Sequence, residues 1–227
     1  MKRITVLFIA VTAFISSCKK SDTQTPVPTP TDKYMNYTSG SEWNIETIND
    51  ASTSPVTVNY KLTSTNRDST INSKAYHVYT NSIGANEYYY NTGNDYYNYR
   101  VLSPGLGGGA AEILYLKDNA AVGTEWSQTF PVTISGVPIT ATFTNKIEER
   151  GTTKTVNAVE YKDVIKVKTT LQIAGIPFQT TITTDIYKYY APKVGPITER
   201  TAIDISSLGT PLYSFEEDKR LLSSSMQ

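Results

Sequence analysis

Hydrophobic and polar side chains alternate through most of the chain between Trp43 and Leu212. Between residues 56 and 62, for example, apolar side chains occupy the even positions and polar side chains the odd ones. The threonines at 140, 142 and 144 alternate in the same way with apolar residues. A period of two residues is typical of a strand with one buried face and one exposed face. No part of this region shows the sustained 3.6-residue period of a helix, so we predict an all-β protein.

Turn-forming sequences divide the alternating region into about eleven strands. Asn66-Arg67-Asp68, Thr92-Gly93-Asn94-Asp95 and Arg150-Gly151-Thr152 are examples. We predict an antiparallel meander of these strands that forms a curved open or half barrel, with a closed lipocalin-like barrel or a two-sheet sandwich as alternatives. The predicted strands are 42–48, 55–65, 70–81, 86–91, 95–102, 111–116, 124–134, 139–150, 161–174, 178–190 and 196–205.

One short motif occurs twice. Gly40-Ser41-Glu42-Trp43 returns 83 residues later as Gly123-Thr124-Glu125-Trp126. Each copy opens a predicted strand, and we expect its tryptophan to be buried and its glutamate to face outward. The two copies suggest similar halves, 40–116 and 123–205, within one β domain over 34–215. The alternative is a chance resemblance between simple β patterns.

Composition and charge exclude several classes of protein. The chain has 21 basic and 21 acidic residues, so no charge excess points to a nucleic-acid partner. One cysteine and one histidine can form neither an internal disulfide nor a Cys/His metal cage. The 33 threonines and 17 tyrosines favour strands. We therefore expect no metal and no cofactor.

The N-terminal residues have the pattern of a secretory signal. Lys2 and Arg3 precede an apolar run from Ile4 to Ile15, which is shorter than the roughly 20 residues that span a bilayer. We predict a signal peptide over 1–17, followed by a tether rich in proline and threonine that runs to residue 33. At the other end of the chain we predict a flexible tail over 216–227.

Ile15-Ser16-Ser17-Cys18 resembles the lipobox of bacterial lipoproteins. The resemblance implies that lipid is attached to the Cys18 thiol and that cleavage leaves Cys18 at the start of an 18–33 tether. Lys19, in place of aspartate, is typical of lipoproteins sorted to the outer membrane. With Gly40-x-x-Trp43 and the motif 189–197, the chain resembles Bacteroidetes outer-membrane lipoproteins of unassigned function. Related β domains are similar to the open barrels of Lol-type lipoprotein carriers. The resemblance implies a lipid-anchored protein, and the sequence after Cys18 favours the periplasmic face over the cell surface.

No strong enzymatic motif is present, since HExxH, GxSxG, CxxC and the P-loop are all absent. His77 is the only histidine, and the sequence assigns it no serine or aspartate partner. Glu42 and Glu125 would converge only if the two halves pack with pseudo-symmetry, which makes a carboxylate-based hydrolase a remote alternative. We expect a non-enzymatic protein.

A tyrosine-rich hairpin is the most unusual feature of the predicted domain. Alternation places Tyr88 and Tyr90 on one face and Tyr89 on the other, so both faces are aromatic. Cross-strand packing is one interpretation, and a platform that binds a glycan, peptide or lipid is the other. The candidate platform residues are Tyr88, Tyr89, Tyr90, Tyr96, Tyr97 and Tyr99.

The apolar strand faces enclose a cavity only if the curved sheet is not filled by its own side chains. We expect binding of an apolar ligand or of another envelope component, with a surface adhesin or glycan-binding accessory protein as the alternative. Asp68-Ser69-Thr70 matches an O-glycosylation pattern of Bacteroidetes envelope proteins, with Ser69 in a predicted exposed turn. The candidate cavity residues are Val58, Tyr60, Val78, Ile139, Phe143, Phe178 and Ile182.

Overall fold

Twelve β-strands and no helix make up the described part of the chain. The computed structural model describes residues 33–50, 54–101, 109–134, 137–175 and 179–227. The predicted signal peptide, Cys18 and the tether up to residue 32 lie outside these ranges. The strands are β1 Glu42–Asn49, β2 Val56–Ile71, β3 Lys74–Asn81, β4 Glu87–Thr92, β5 Asp95–Val101, β6 Ala110–Lys117, β7 Glu125–Ile134, β8 Val137–Val156, β9 Val159–Ala174, β10 Thr180–Ala191, β11 Gly195–Ser207 and β12 Thr210–Ser225.

All twelve strands belong to one antiparallel sheet. The order is β6-β5-β4-β3-β2-β1-β12-β11-β10-β9-β8-β7, so sequential strands are neighbours and β12 pairs with β1. The sheet curves into a nearly closed barrel, and its one break lies between the edge strands β6 and β7. The predicted all-β class and antiparallel meander are confirmed, and the single sheet excludes the sandwich.

Side chains bridge the break between β6 and β7. The Gln128 Oε1 atom accepts a hydrogen bond from the Leu114 amide at 2.7 Å, and Gln128 Nε2 donates to the Glu112 carbonyl at 3.2 Å. The Trp126 indole nitrogen donates to the Leu114 carbonyl at 2.8 Å. The Gln128 amide therefore replaces the peptide group that a paired strand would have supplied. We call this contact the side-chain seam.

The last strand corrects the prediction of a flexible tail over 216–227. Residues 210–225 form β12, which pairs with β11 on one side and with β1 on the other. The alternation of apolar and polar residues is hidden in β12 because Glu217 and Lys219 occupy inward positions. Their ion pair at 2.8 Å lets charged side chains stand where apolar ones were expected.

Two predicted turns are β-bulges. The prediction of a turn at Asn66-Arg67-Asp68 is wrong, because β2 continues to Ile71 with a register shift between Ser64 and Asp68. The chain reverses at Asn72-Ser73, where φ is 49° and 62°. Arg150-Gly151-Thr152 likewise lies inside β8, at a register shift against β9. Asn72 and Ser73 both adopt a positive φ, so this turn lacks the glycine that usually marks a two-residue hairpin turn.

The two copies of the Gly-x-x-Trp motif have the same local structure. Gly40 has φ 86° and donates to the Ser64 carbonyl at 2.9 Å, while Gly123 has φ 89° and donates to the Ile147 carbonyl at 2.8 Å. Both tryptophans are buried. Each copy opens a six-stranded meander, β1–β6 or β7–β12, so the second meander extends past residue 205 to the end of β12.

The interior contains two apolar clusters. The first includes residues of β1–β3, of β5–β12 and of the chain before β1, and the second lies on the inward faces of β7–β11. The first cluster includes Trp43, Leu62, Tyr79, Ile147, Ile165 and Ile197, and the second consists of Val132, Ile139, Ala141, Leu171, Ile186, Ile203 and Ile205.

Residues 33–39, which we call the N-terminal segment, lie across one end of the barrel. Tyr34 is 3% exposed, its amide donates to the Tyr96 hydroxyl of β5 at 3.1 Å, and its hydroxyl donates to the Asp163 carbonyl of β9 at 2.6 Å. Tyr79 of β3 donates to a backbone carbonyl of the segment at 2.6 Å. Because these strands lie on different sides of the barrel, the segment closes this end.

Candidate ligand-binding cavity

Two adjoining cavities, of about 450 Å³ and 220 Å³, lie inside the barrel. The larger one reaches the N-terminal segment and the first apolar cluster at Met35 and Trp43. The smaller one reaches the second cluster at Ile203 and also includes Phe143. Pockets of roughly 300–1,000 Å³ hold small-molecule ligands. The walls that the two cavities share are Arg100, Val101, Ile113, Tyr115, Lys188, Tyr190 and Glu199.

A row of charged side chains lies in the cavity wall formed by β10, β11 and β12. The strand register places Lys188 opposite Glu199 and Glu199 opposite Lys219. The Lys188 Nζ atom is 2.7 Å from Glu199 Oε1, and the Lys219 Nζ atom is 2.8 Å from Glu217 Oε1. These side chains bond sideways along the wall, so they leave the lumen unfilled.

The same row fixes the protonation of Glu199. Burial alone would raise the pKa of Glu199, but the positive charges of Lys188, Lys219 and Arg100 outweigh burial and lower this pKa to about 2. Burial lowers the pKa of Lys188, and the charge of Glu199 opposes that shift. A carboxylate with so low a pKa cannot serve as a general acid near neutral pH.

Two of the predicted cavity residues line the cavities. Tyr60 lies in the wall of the larger cavity and Phe143 in the wall of the smaller one. Ile139 belongs to the second apolar cluster and Ile182 packs against it, so both contribute to the core. Phe178 lies outside the described residues.

The prediction that Val58 and Val78 line a cavity is wrong. Val58 is 37% exposed and contacts neither cavity. Val78 is buried, but it stands opposite Tyr88 on the outer face of the sheet. Tyr76 on the same outer face is 0% exposed and packs against Tyr90, with ring centroids 5.6 Å apart. Aromatic packing on the outside of the barrel therefore buries residues that resemble core residues in sequence.

Four of the six predicted platform tyrosines share the outer face. Tyr88 stands directly opposite Tyr99, and Tyr90 stands directly opposite Tyr97. The Lys74 ammonium lies 5.0 Å from the centre of the Tyr97 ring and forms an ion pair with Glu112 at 2.6 Å. We call this group the outer tyrosine face. Its members are Tyr88, Tyr90, Tyr97 and Tyr99.

The other two tyrosines point inward, so placing them on a surface platform is wrong. Tyr89 packs against Tyr79 and Tyr115 at centroid distances of 5.1 Å and 6.1 Å. Tyr96 is buried, and its hydroxyl donates to Asp118 at 2.6 Å. Tyr96 and Tyr97 are consecutive in β5, so ordinary alternation directs Tyr96 inward and Tyr97 outward.

The bulge in β2 gives His77 the partners that the sequence did not assign. The Ser64 hydroxyl lies 2.8 Å from His77 Nε2, and Asp68 Oδ1 lies 3.1 Å from His77 Nδ1. The order and distances match a Ser-His-Asp triad. However, Ser64 is 1% exposed and lines neither cavity, so no substrate reaches its hydroxyl. We assign these bonds to the attachment of the bulge to β3.

Three other residues that the sequence analysis singled out lie apart from the cavities: Glu42 and Glu125 point outward, and Ser69 lies within a strand. Glu42 forms an ion pair with Lys61, and Glu125 forms one with Lys146, so the two glutamates do not converge on one site. Ser69 lies within β2 opposite Tyr76, and the prediction that it occupies an exposed turn is wrong. Glycosylation of Ser69 stays a prediction.

The described ranges contain neither a candidate metal site nor a candidate membrane-spanning helix. No three His, Cys, Asp or Glu side chains there are grouped so that they could hold a metal ion. No helix within those ranges combines the length and apolarity needed to cross a membrane.

Comparison with known proteins gives one similar structure. No family model matches the chain, and no curated protein matches it. The chain is similar to a presumed lipoprotein from Parabacteroides distasonis ATCC 8503, whose crystal structure was determined at 2.70 Å resolution. The two are 14% identical over 87% of this chain and 100% of the other, with a TM-score of 0.49. At this TM-score the likeness supports no conclusion about ligand, location or function.

Proposed function

We propose that this protein is a non-enzymatic, lipid-anchored envelope protein that binds an apolar small molecule inside its barrel. The observation that carries the proposal is the pair of adjoining cavities of about 450 Å³ and 220 Å³. A barrel whose interior is closely packed has no such space, because cores leave few voids larger than a water molecule. A cavity of this size with apolar walls is the usual setting for a small ligand.

The shared walls suit an apolar chain. Tyr115 and Tyr190 stack with centroids 5.5 Å apart, and Ile113 continues the apolar surface into both cavities. The charges of Lys188 and Glu199 neutralise each other along the wall. An apolar ligand therefore gains buried contact area without separating a charged pair.

We propose that the protein is located at the periplasmic face of the outer membrane. The resemblance of residues 15–18 to a lipobox supports it, with Cys18 as the attachment point. Multiple acyl chains on one residue anchor a protein stably, whereas a single chain does not. Replacement of Cys18 by serine is expected to move the protein from the membrane fraction to the soluble fraction.

The absence of an enzymatic role is supported by the chemistry of two residues. Glu199 is held ionised by neighbouring cations, and Ser64 of the triad-like group is buried away from both cavities. Neither residue is suited to proton transfer or nucleophilic attack on a ligand in the cavities.

A fluorescent ligand tests the proposal. The full chain, stripped of bound lipid, is titrated with a conjugated polyene alcohol whose fluorescence rises in apolar surroundings. Ile113→Trp adds an aromatic ring to both cavities, and Thr170→Trp adds the same ring to the exposed face of β9. We expect the wild type and Thr170→Trp to bind the probe alike, and Ile113→Trp to bind it at least about tenfold more weakly. Equal binding by all three proteins would refute the proposal.

The outer tyrosine face favours a second candidate function, the binding of a glycan. Its four rings form two directly opposed pairs beside the Lys74–Glu112 ion pair, and this combination suits a sugar with apolar and hydroxyl faces. If so, replacing Tyr90 and Tyr97 with serine abolishes binding on a glycan array. Tyr187→Ser, which alters an outward tyrosine on β10, leaves it unchanged. An array on which the wild type binds no glycan would exclude this candidate.

A further inference from the structure

Arg100 is a cation at the point where both cavities meet solvent. It occupies an inward position of β5, lines both cavities and is also exposed. Within the described ranges, no hydrogen bond or ion pair joins its guanidinium to another residue, and its charge acts on Glu199 through space. Arginine presents five donors in a planar fork.

The other charged groups in the cavity walls already have partners. Lys188 pairs with Glu199, and Lys219 pairs with Glu217. Arg220, which also lines the larger cavity, pairs with Glu46. Arg100 is therefore the wall cation whose donors are not committed to a carboxylate.

Glu87, the remaining wall carboxylate, is also satisfied. Its Oε1 atom accepts a hydrogen bond from Asn81 at 3.0 Å, and its Oε2 atom accepts one from Tyr89 at 2.7 Å. The cavity walls therefore offer a ligand an unpaired cation, Arg100, but no unpaired carboxylate.

The positive charge of Arg100 extends to the shared wall. Burial opposes ionisation of Glu199, yet the charges of Lys188, Lys219 and Arg100 lower the pKa of its carboxyl group. Three cations act on this one carboxylate, and Lys219 has Glu217 as a second partner. An anion placed directly beside Arg100 is attracted by a guanidinium that no carboxylate of the cavity walls pairs with.

We infer that the ligand is an anionic amphiphile, with a carboxylate or phosphate headgroup against Arg100 and an apolar tail in the two cavities. This inference rests on the proposed function and adds the chemical class of the ligand. The headgroup keeps contact with water at the exposed arginine, so only the tail is transferred from water into the barrel. Carboxylate and phosphate both match the two parallel donors of a guanidinium.

Two fluorescent probes and one substitution test the inference. The full chain, stripped of lipid, is titrated with a polyene fatty acid and with the corresponding primary alcohol, which lacks the charge. Arg100→Gln removes the cation, and Arg67→Gln removes an exposed arginine that lines neither cavity. We expect Arg100→Gln to weaken binding of the acid by about tenfold or more and to leave binding of the alcohol within about twofold. Arg67→Gln changes neither.

Competition distinguishes the two sources of the anion. An alkyl phosphate and a fatty acid of the same length are compared as displacers of the fluorescent acid. Stronger displacement by the phosphate indicates a lipid phosphate, and stronger displacement by the fatty acid indicates a free fatty acid. Both outcomes support an anionic headgroup, provided that Arg100→Gln weakens the stronger displacer.

Two other results separate the inference from the proposed function. If acid and alcohol bind equally well and Arg100→Gln affects neither, the inference is wrong while ligand binding in the cavity stands. If neither probe binds to the wild type, the proposed function itself fails and the inference fails with it.

Discussion

At the scale of single residues, three charged side chains on neighbouring strands determine what the barrel interior can hold. Lys188, Glu199 and Lys219 occupy register-matched inward positions on β10, β11 and β12. Each charge is balanced within the wall, so the barrel tolerates them without an apolar filling. Removing one partner leaves the other buried without compensation, which is far more costly than losing the attraction alone.

Glu199 gives the fold a specific dependence on pH. Its folded pKa of about 2 lies below the ordinary glutamate pKa of about 4.3, so ionisation of Glu199 stabilises the folded state. This stabilisation is complete above about pH 4.3 and is lost as the pH falls toward 2. We expect Glu199→Gln to be less stable at neutral pH and to lack this part of the acid-dependent loss. Urea unfolding at a series of pH values measures both effects.

The matched control for Glu199 is Glu125→Gln, which alters an exposed ion pair on the outer face. Exposed pairs contribute only about 0–1 kcal/mol, so this variant is expected to keep the wild-type stability and its acid dependence. If Glu199→Gln shows the same pH profile as the wild type, the assigned role of the charged row is wrong.

Gly195 is required where β11 approaches the N-terminal segment. It has φ 95°, and an added Cβ atom would lie 2.9 Å from Met35 Sδ. Gly209 has φ 79° and nothing within 4 Å of the same position, so Gly209→Ala measures the backbone cost alone, roughly 1–2 kcal/mol. We expect Gly195→Ala to cost a further 1–3 kcal/mol or so from overpacking. Equal unfolding free energies for the two variants in urea would show that the N-terminal segment does not pack tightly against Gly195.

At the scale of secondary-structure elements, alternation predicts where strands occur but not where the register shifts. The period of two placed β1 and β7 close to their observed bounds, because those strands alternate regularly. Between Ser64 and Asp68, β2 contains two residues more than the paired stretch of β3, so the strand continues past the predicted turn with its facing unchanged. The consequence is a turn predicted too early in β2. The inward facing of Tyr89 and Tyr96 follows ordinary alternation, and the predicted platform combined tyrosines from both faces of the hairpin. β12 was missed because charged residues occupy its inward positions.

The side-chain seam supports the two edge strands. Gln128→Leu removes both bonds of the Gln128 amide to the β6 backbone and leaves the Leu114 amide without its partner. We expect a loss of about 1–3 kcal/mol in unfolding free energy. Hydrogen exchange of the Leu114 amide is expected to become faster.

The control for the seam is Gln172→Leu, which makes the same substitution at an exposed position of β9. It is expected to leave exchange at Leu114 unchanged. Wild-type protection of the Leu114 amide in Gln128→Leu would show that the break between β6 and β7 is held by other contacts.

At the scale of the whole molecule, two six-stranded meanders enclose a cavity that the N-terminal segment closes at one end. The sequence predicted the barrel, and it correctly predicted Tyr60 and Phe143 as residues of the cavity walls. It missed Arg100, Lys188 and Glu199, because a charged residue in a strand is ordinarily assigned to the solvent face. The signal that could have found the last two is the match of opposite charges at paired positions of β10 and β11. That match becomes visible only once the register of the strands is known.

Native mass spectrometry of the full chain, purified from its own membrane, tests ligand binding in the barrel most directly. For the wild type we predict the mass of the lipidated chain plus one small amphiphile, which is released when the protein unfolds. The cavity-filling variant Ile113→Trp is predicted to carry the lipid anchor and no such ligand, whereas Thr170→Trp carries both. If the wild type shows only the mass of the lipidated chain, or if Ile113→Trp retains the amphiphile, the cavity is not a binding site.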